Sequence, residues 1–403
     1  MISLILKQIW NKRRSNGWLF MELFIVFIIL WYIVEFLFTS FVTSHQYKGY
    51  DTDHVYDVSI FANPTLSEEY KGEDWKNNYL LLFNRIKEYP GVESACYYGG
   101  SALYGGGMFE NYTVDSIRYY FSHKQMVNKD FFEVFKVPMK ESDLSQWEMR
   151  AYPRPAVISQ DLADSLFHVK PQLGEHFFQY SWATHKYMIG GVAPRHKRTE
   201  FDRYAPFIYV PIEEWLLEQS IPTMAIRVDK RNEQGFAERF TSDMRNLNIG
   251  PFYFSGIMAY NEKKEIYDTQ TNNYLRTSYA VVLFFVFNIF LSVMGTFWFR
   301  TRKRRGEIGL RMAIGASRFH VASELIYESI LILILSAIPA ILICLNVWYL
   351  DITINTYMDS TVPRFVIGIS CTLILMAIMI LLGIIYPVTQ ATKIEPAEAL
   401  HEE

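Results

Sequence analysis

The side chains able to do chemistry in this sequence are mostly charges in unexpected surroundings. Glu22 and Glu35 interrupt an apolar run at residues 18–42 (WLFMELFIVFIILWYIVEFLFTSFV), and Glu324 and Glu328 stand at the head of another. An ionisable residue in an apolar span is costly, so its presence points to a partner or a function. Glu22 lies near the start of its run, within reach of an aqueous interface. Glu35 lies about two turns from the far end, where a short side chain snorkels poorly. It faces either a partner helix or a wet cavity. Glu324 and Glu328 are four residues apart on one helix face, placed to meet the basic stretch that precedes them.

That stretch, residues 302–317 (RKRRGEIGLRMAIGAS), is the most informative in the chain. It mixes basic residues, the acid Glu307, apolar Ile308, Leu310, Met312 and Ile314, and small Gly309, Ala313, Gly315 and Ala316. Small residues permit close backbone approach to another protein. Composition alone leaves two readings, a membrane-surface anchor or a protein-docking element. A plain lipid anchor has no need of Glu307 or the glycines.

Enzyme chemistry finds little support. No GxxxxGK[ST] run is present, hence no phosphate-cradling loop with its lysine. HExxH, CxxC and GxSxG are missing as well. The nine histidines are scattered, and His176, His185 and His196 follow no metal spacing. The glycine-rich stretch 99–107 (GGSALYGGG) could hold an anion on backbone N–H groups, but it lacks the strand–GxGxxG–helix order and reads as a flexible turn. Three cysteines are too few for a disulfide framework and read as small apolar filler. A net charge of −3 argues against a nucleic-acid binder.

Four apolar runs position these groups: residues 18–42, 279–299, 325–350 and 365–388. Each reaches the roughly 20 residues that a helix needs to cross a bilayer. The first is too long and aromatic for a cleaved leader and reads as an uncleaved signal anchor. Lys7, Lys12, Arg13 and Arg14 precede it; Arg300, Arg302, Lys303, Arg304, Arg305, Arg311 and Arg318 surround the end of the second run and the link after it. The link between runs three and four has Asp351 and Asp359, with Arg364 its only basic residue. The positive-inside rule then places both termini and the second link in the cytoplasm. The expected organisation is a cytoplasmic amphipathic helix at 1–16, a first span at 17–43 and an extracytoplasmic domain at 44–260. A stalk and second span follow at 261–300, a cytoplasmic segment at 301–324 and a third span at 325–350. An outer loop at 351–364, a fourth span at 365–388 and a cytoplasmic tail at 389–403 complete it. No Pro or Gly occurs between Asn261 and Val293, which predicts one helix entering the second span from well outside the membrane.

The outer region alternates helix and strand signals, giving an α/β (α+β) domain, read as two lobes. Residues 75–89 form an amphipathic helix with Leu80, Leu81, Phe83 and Ile86 inward, ended by Pro90-Gly91. Strands are expected at 92–98, 187–192, 207–210 and 223–228. Helices are expected at 128–135, at 160–167 with Ser159 as N-cap, and at 233–247.

These segments resemble the MacB/FtsX-type permeases of ABC systems. Residues 304–317 (RRGEIGLRMAIGAS), then ELIYES at 324–329 and YPVTQATKIEPAEAL at 386–400, follow the family's patterns, with Met312 where Ala is usual. The outer region resembles the family's periplasmic domain at VNKDFFEVFKVP (127–138), PAVISQDLADSLF (155–167), IGGVAP (189–194) and IYVP (208–211), while residues 99–126 match nothing recognisable. The resemblance implies a non-catalytic subunit of a bacterial inner membrane, coupled to a separate cytoplasmic ATPase that binds ATP and magnesium. Arg304, Arg305, Glu307, Ile308, Gly309, Arg311, Gly315, Ala316 and Ser317 would dock on it, with Glu35 and Glu328 as intramembrane acids. It further implies a dimer with a second copy or paralogue, membrane lipid around it, an adaptor or outer-membrane partner, and no nucleic acid. The implied work is mechanotransmission for efflux of peptides or antibiotics or for lipoprotein and envelope processes. The alternative is a non-transporting regulator of a cell-wall hydrolase, or a sensor.

Overall fold

The computed structural model describes residues 13–391 except 68, 101–102, 116, 140–141, 150, 168–171, 181 and 354–356. The amphipathic helix expected at 1–16 and the tail at 389–403 lie largely outside these residues. The chain divides into two units, one of residues 1–44 with 273–403 and one of residues 45–272.

In chain order, α1 (Arg13–His45) is followed by β1 (Val55–Ala62), α2 (Glu73–Lys87), β2 (Val92–Gly100), β3 (Phe109–Thr113) and β4 (Tyr120–Val127). Then come α3 (Phe131–Val134), β5 (Arg154–Ser159), α4 (Gln160–Phe167), β6 (His176–Gln179), β7 (Trp182–Ala193) and β8 (Phe207–Pro211). After α5 (Glu214–Gln219), β9 (Thr223–Val228), α6 (Phe236–Met244), β10 (Asn248–Ile249) and β11 (Phe252–Ala259), four helices end the chain: α7 (Tyr260–Lys303), α8 (Arg305–Ala313), α9 (Arg318–Tyr349) and α10 (Val362–Ala391).

Among the described residues, four helices are long and apolar enough to cross a membrane: Asn16–His45, Tyr260–Lys303, Phe319–Tyr349 and Val362–Ile384. A helix satisfies its backbone internally, which hydrocarbon demands. Polar side chains in these helices do likewise: Thr39 Oγ1 donates to the Glu35 carbonyl at 2.7 Å and Ser40 Oγ to that of Phe36 at 2.6 Å. Leu23, Phe27, Leu30 and Trp31 of α1 pack with Phe297 of α7, Ala340 of α9 and Ile380 of α10 in one core.

The other unit carries one eleven-stranded mixed sheet, ordered β10-β11-β1-β9-β2-β4-β3-β6-β7-β5-β8. β4 also pairs with β8 in parallel, so β4 to β8 close into a ring through β3, β6, β7 and β5. Among the described residues, three clusters of buried residues hold this unit together. In one, α2 and α6 cover β1, β2, β9 and β11, with Tyr79, Leu82, Ile86, Phe240 and Phe252 fully buried. In a second, α4 packs on the ring through Leu162, Ala163 and Leu166. A third cluster centres on Phe131 and Phe135, with Tyr98, Tyr209 and Tyr260 around them.

Several expectations change in detail. The buried face of α2 is Trp75, Tyr79, Leu82, Phe83 and Ile86, and Leu81 is exposed. Those positions recur every three or four residues, whereas Leu80 and Leu81 are merely adjacent. Within the stretch at 99–107, Gly99 and Gly100 end β2, residues 103–105 turn, and Leu103 and Tyr104 are buried in the third cluster. Gly100 has φ +86, with the Lys124 carbonyl 2.7 Å from where a Cβ would sit, so glycine is required there. Ser159 accepts a hydrogen bond from the distant Phe207 N–H at 2.9 Å, tying β5 to β8. The helices expected at 128–135 and 233–247 shorten to Phe131–Val134 and Phe236–Met244.

Candidate functional site

Helix α8 is short and two-faced. Ile308 points inward against Val321 of α9, with Met312, Ala316 and Leu325 packed around the pair. Gly309 is buried beside it. The helix stops because Gly315 takes φ +101, open to glycine and strained for other residues. Gly315 N–H donates to the Met312 carbonyl at 3.0 Å and Ala316 N–H to that of Arg311 at 3.0 Å. Those two bonds make a Schellman end. Ser317 immediately caps α9, its Oγ accepting from His320 N–H at 3.2 Å. Gly315, Ala316 and Ser317 therefore build the turn between α8 and α9.

A ladder of charges holds α8 in place. Glu328 of α9 receives Arg304 through both oxygens, at 2.5 and 3.0 Å, and Arg300 of α7 at 2.6 Å. Arg300 also donates to Asn16 Oδ1 of α1 at 2.8 Å. One turn away, Arg311 bridges Glu307 at 2.7 Å and Glu324 at 2.6 Å. Arg304, Glu307, Ile308, Arg311, Glu324 and Glu328 line one small cleft. Bidentate arginine–carboxylate pairs are the geometry in which such contacts are strongest. The side chain of Arg305 lies outside what the structure describes.

The outward face holds residues that the motif does not single out. Leu310, Ile314 and Phe319 are 53, 78 and 83% exposed. The signal lies in the spacing: with Ile308 and Met312 turned inward, Leu310 and Ile314, four apart, share the other face.

Glu35 is enclosed among helices. Arg364 of α10 meets its Oε2 through Nε at 2.7 Å and donates Nη1 to the Met358 carbonyl at 2.6 Å. Both side chains are almost wholly buried, and Glu35 meets a partner helix through Arg364. A Cβ on Gly368, one turn beyond Arg364, would lie 2.5 Å from Glu35 Oε1, so glycine makes room for the carboxylate. Glu22 accepts hydrogen bonds from Ser292 and Thr296 of α7, at 3.1 and 3.0 Å.

In the other unit, a carboxylate hub fastens the first turns of α7. Glu200 receives Lys48 at 2.6 Å, Lys264 at 2.9 Å and the Tyr104 hydroxyl at 2.9 Å. Burial opposes its charge, but Lys264 and Lys48 outweigh that and hold the carboxyl down at about 2. Lys263 pairs with Asp57 of β1, and Tyr260 meets Tyr98 of β2 through their hydroxyls. Beneath the hub, burial pushes His196 down to about 3, with His123 adding to the effect, and its Nδ1 contacts the Tyr209 hydroxyl at 2.9 Å. Among the described residues no three His, Cys, Asp or Glu side chains gather where they could hold a metal ion.

Comparison with known proteins follows this division. Residues 26–242 match the MacB-like periplasmic core domain and residues 279–396 the FtsX-like permease C-terminal model. Among curated proteins, "Macrolide export ATP-binding/permease protein MacB 1/2" of Paracoccus denitrificans (strain Pd 1222) is 27% identical over 227 residues, which are 55% of this chain and 33% of that protein. "Macrolide export ATP-binding/permease protein MacB" of Agrobacterium fabrum is 24% identical over 204 residues, 49% of this chain and 30% of that protein. The match thus spans about a third of the length of these relatives. Among solved structures, the periplasmic region of MacB from Actinobacillus actinomycetemcomitans is 12% identical, covering 56% of this chain and 95% of that one at a TM-score of 0.34. The extracellular domain of the noncanonic ABC-type transporter YknZ from Gram-positive bacteria is 13% identical, covering 50% and 100% at a TM-score of 0.30.

Proposed function

Because the chain belongs to the MacB/FtsX-type permease family of multi-pass membrane proteins, we propose that it serves an ABC system whose ATP-hydrolysing subunit is a separate protein docked on α8. The observation that carries this reading is the build of that helix. Its inner face is locked by Ile308 and the Glu328 and Arg311 bridges, Leu310 and Ile314 are exposed on it and at its end, and Phe319 is exposed in the first turn of α9. Exposed apolar residues beside a charged rim suit a protein interface. ATP and magnesium would sit on the partner. The basic residues around α8 support a cytoplasmic position for this face and for both chain ends, in what would be a bacterial inner membrane.

Continuity of one helix supports a mechanotransmission role. Helix α7 supplies residues to both units, and in the outer one it is held by Tyr260, Lys263 and Lys264. A helix fixed at both ends passes displacement along its axis. Closing of the ATPases would move α8, then α7, then the hub at Glu200. Two copies, working with an adaptor or outer-membrane partner, would use this motion for efflux of peptides or antibiotics or for lipoprotein and envelope processes. A non-transporting regulator would use the same linkage.

The test is ATP hydrolysis by the co-purified complex in nanodiscs. Leu310→Asp with Ile314→Asp, and separately Glu307→Lys, are expected to lower stimulated hydrolysis at least about tenfold, equal to ~1.4 kcal/mol of coupling, with the permease still inserted and folded. Hydrolysis at the wild-type rate in both, with the ATPase bound, would remove α8 as the docking element.

A further inference from the structure

The outer unit contains a cleft of about 560 Å³, within the range of small-molecule and peptide sites. Leu80 of α2, Tyr97 of β2, Val127 of β4 and Trp147 give it an apolar and aromatic floor. Charges stand on its walls, and two of the acids already have partners. Glu214 takes Lys76 at 2.6 Å, and Glu213 takes Lys124 at 3.0 Å and Trp215 Nε1 at 2.6 Å.

Arg154 is different. It is 8% exposed and lines the cleft. Its guanidinium reaches only two backbone carbonyls, Met149 at 3.3 Å and Ile212 at 3.4 Å, and lies 5.8 Å from the centre of the Tyr152 ring. No carboxylate among the described residues forms an ion pair with it. A guanidinium has five N–H donors, and two long contacts leave most of them unused. Glu213 is near enough for the Arg154 charge to help hold its carboxyl down, but its own contacts go to Lys124 and Trp215, so no carboxylate among the described residues is hydrogen-bonded to this buried guanidinium. Here the space beside it is open, with an apolar and aromatic floor between charged walls.

We propose that this cleft binds an organic carboxylate carried on an apolar or aromatic body, the chemistry of a peptide C-terminus ending in an apolar residue, with Arg154 as its charged contact. The planar fork of an arginine matches a carboxylate in two parallel hydrogen bonds. A phosphate would bring about twice the negative charge into a cleft that also contains Glu148 and Glu213. A wholly apolar ligand would leave Arg154 as it stands. The floor of Tyr97, Val127 and Trp147 receives the terminal side chain, while the chain before it leaves past the exposed Lys129 and Glu148 at the rim.

The test uses the full-length protein in nanodiscs of zwitterionic lipid. The probes are Gly-Ala-Phe labelled with fluorescein at its N-terminus, as the free acid and as the C-terminal amide, read by fluorescence anisotropy. The acid should bind at least about tenfold more tightly than the amide, the worth of one charge-assisted pair. Arg154→Gln should erase that ratio. A ratio is read because Arg154→Gln also removes the carbonyl contacts; a purely structural arginine would weaken acid and amide alike and keep the ratio. Leu80→Trp fills the floor without touching Arg154 and should abolish binding of both. Equal binding of acid and amide to the wild type, no binding of either, or an unchanged ratio in Arg154→Gln would each overturn the proposal.

Discussion

Two arginine–carboxylate arrangements in the helical unit use the same chemistry in different surroundings. Glu35 and Arg364 are shut in, with side chains 4 and 2% exposed. The ladder beside α8 is graded: Glu328 is 8% exposed, Arg304 15%, and Arg311 and Glu307 30 and 38%. A closed pair has no water to replace a lost partner, so it fixes how α1 meets α10 and tolerates no half. The ladder has a buried anchor at one end and water at the other. Its outer rungs contribute little to stability and leave α8 free to respond to a partner.

The closed pair should give the largest effect. Glu35→Leu or Arg364→Leu alone is expected to lower stability by about 3–5 kcal/mol, while the double substitution restores most of it. Unfolding midpoints in detergent measure this; a double variant as weak as the singles would show that packing, not charge, dominates. Next comes the ladder's anchor. Glu328→Gln leaves Arg300 and Arg304 sharing a neutral group and should cost about 2–3 kcal/mol by the same assay.

Acid should act on the outer unit. His196 is neutral in the fold, with its pKa held down at about 3, and takes a proton near 6.5 when unfolded. The unfolded state therefore binds more protons, and stability falls as pH drops below about 6.5, by about 1.4 kcal/mol per pH unit from this group. Hydrogen exchange in β8 at pH 7.5 and 5.5 reads it, and His196→Gln should flatten the slope. The smallest stability effect belongs to the outer rung. Arg311→Ala should change stability by less than about 1 kcal/mol yet reduce stimulated ATP hydrolysis; a large loss of stability would make Arg311 part of the anchor.

The sequence discloses these regions unevenly. The spans are legible because hydrocarbon imposes a length and excludes charge, and α7 because nothing between Asn261 and Val293 can break it. The partner of Glu35 is not legible, since Arg364 lies 329 residues away and no local rule connects them. At α8, the residue types of the motif are plain but their tasks are not. Gly315 and Ser317 also build the turn and the cap of the next helix, and which of the apolar residues face outward, Leu310 and Ile314, is not legible from composition. In the outer unit, β1 and β11 are not among the expected strands, although Tyr56, Val58 and Ile60 alternate inward along β1 and Phe252 and Phe254 along β11. β3 has only five residues beside a glycine-rich stretch and gains its place from pairing with β4 and β6.

The most direct measurement is site-specific photo-crosslinking in intact cells. A photoreactive residue at Ile314, on the outer face of α8, is compared with one at Tyr253, exposed on β11 of the other unit. Capture of an ABC ATPase from position 314 and none from 253 is the predicted result. Capture from 253, or none from 314 while the complex still co-purifies, would contradict both the docking face and the side of the membrane assigned to it.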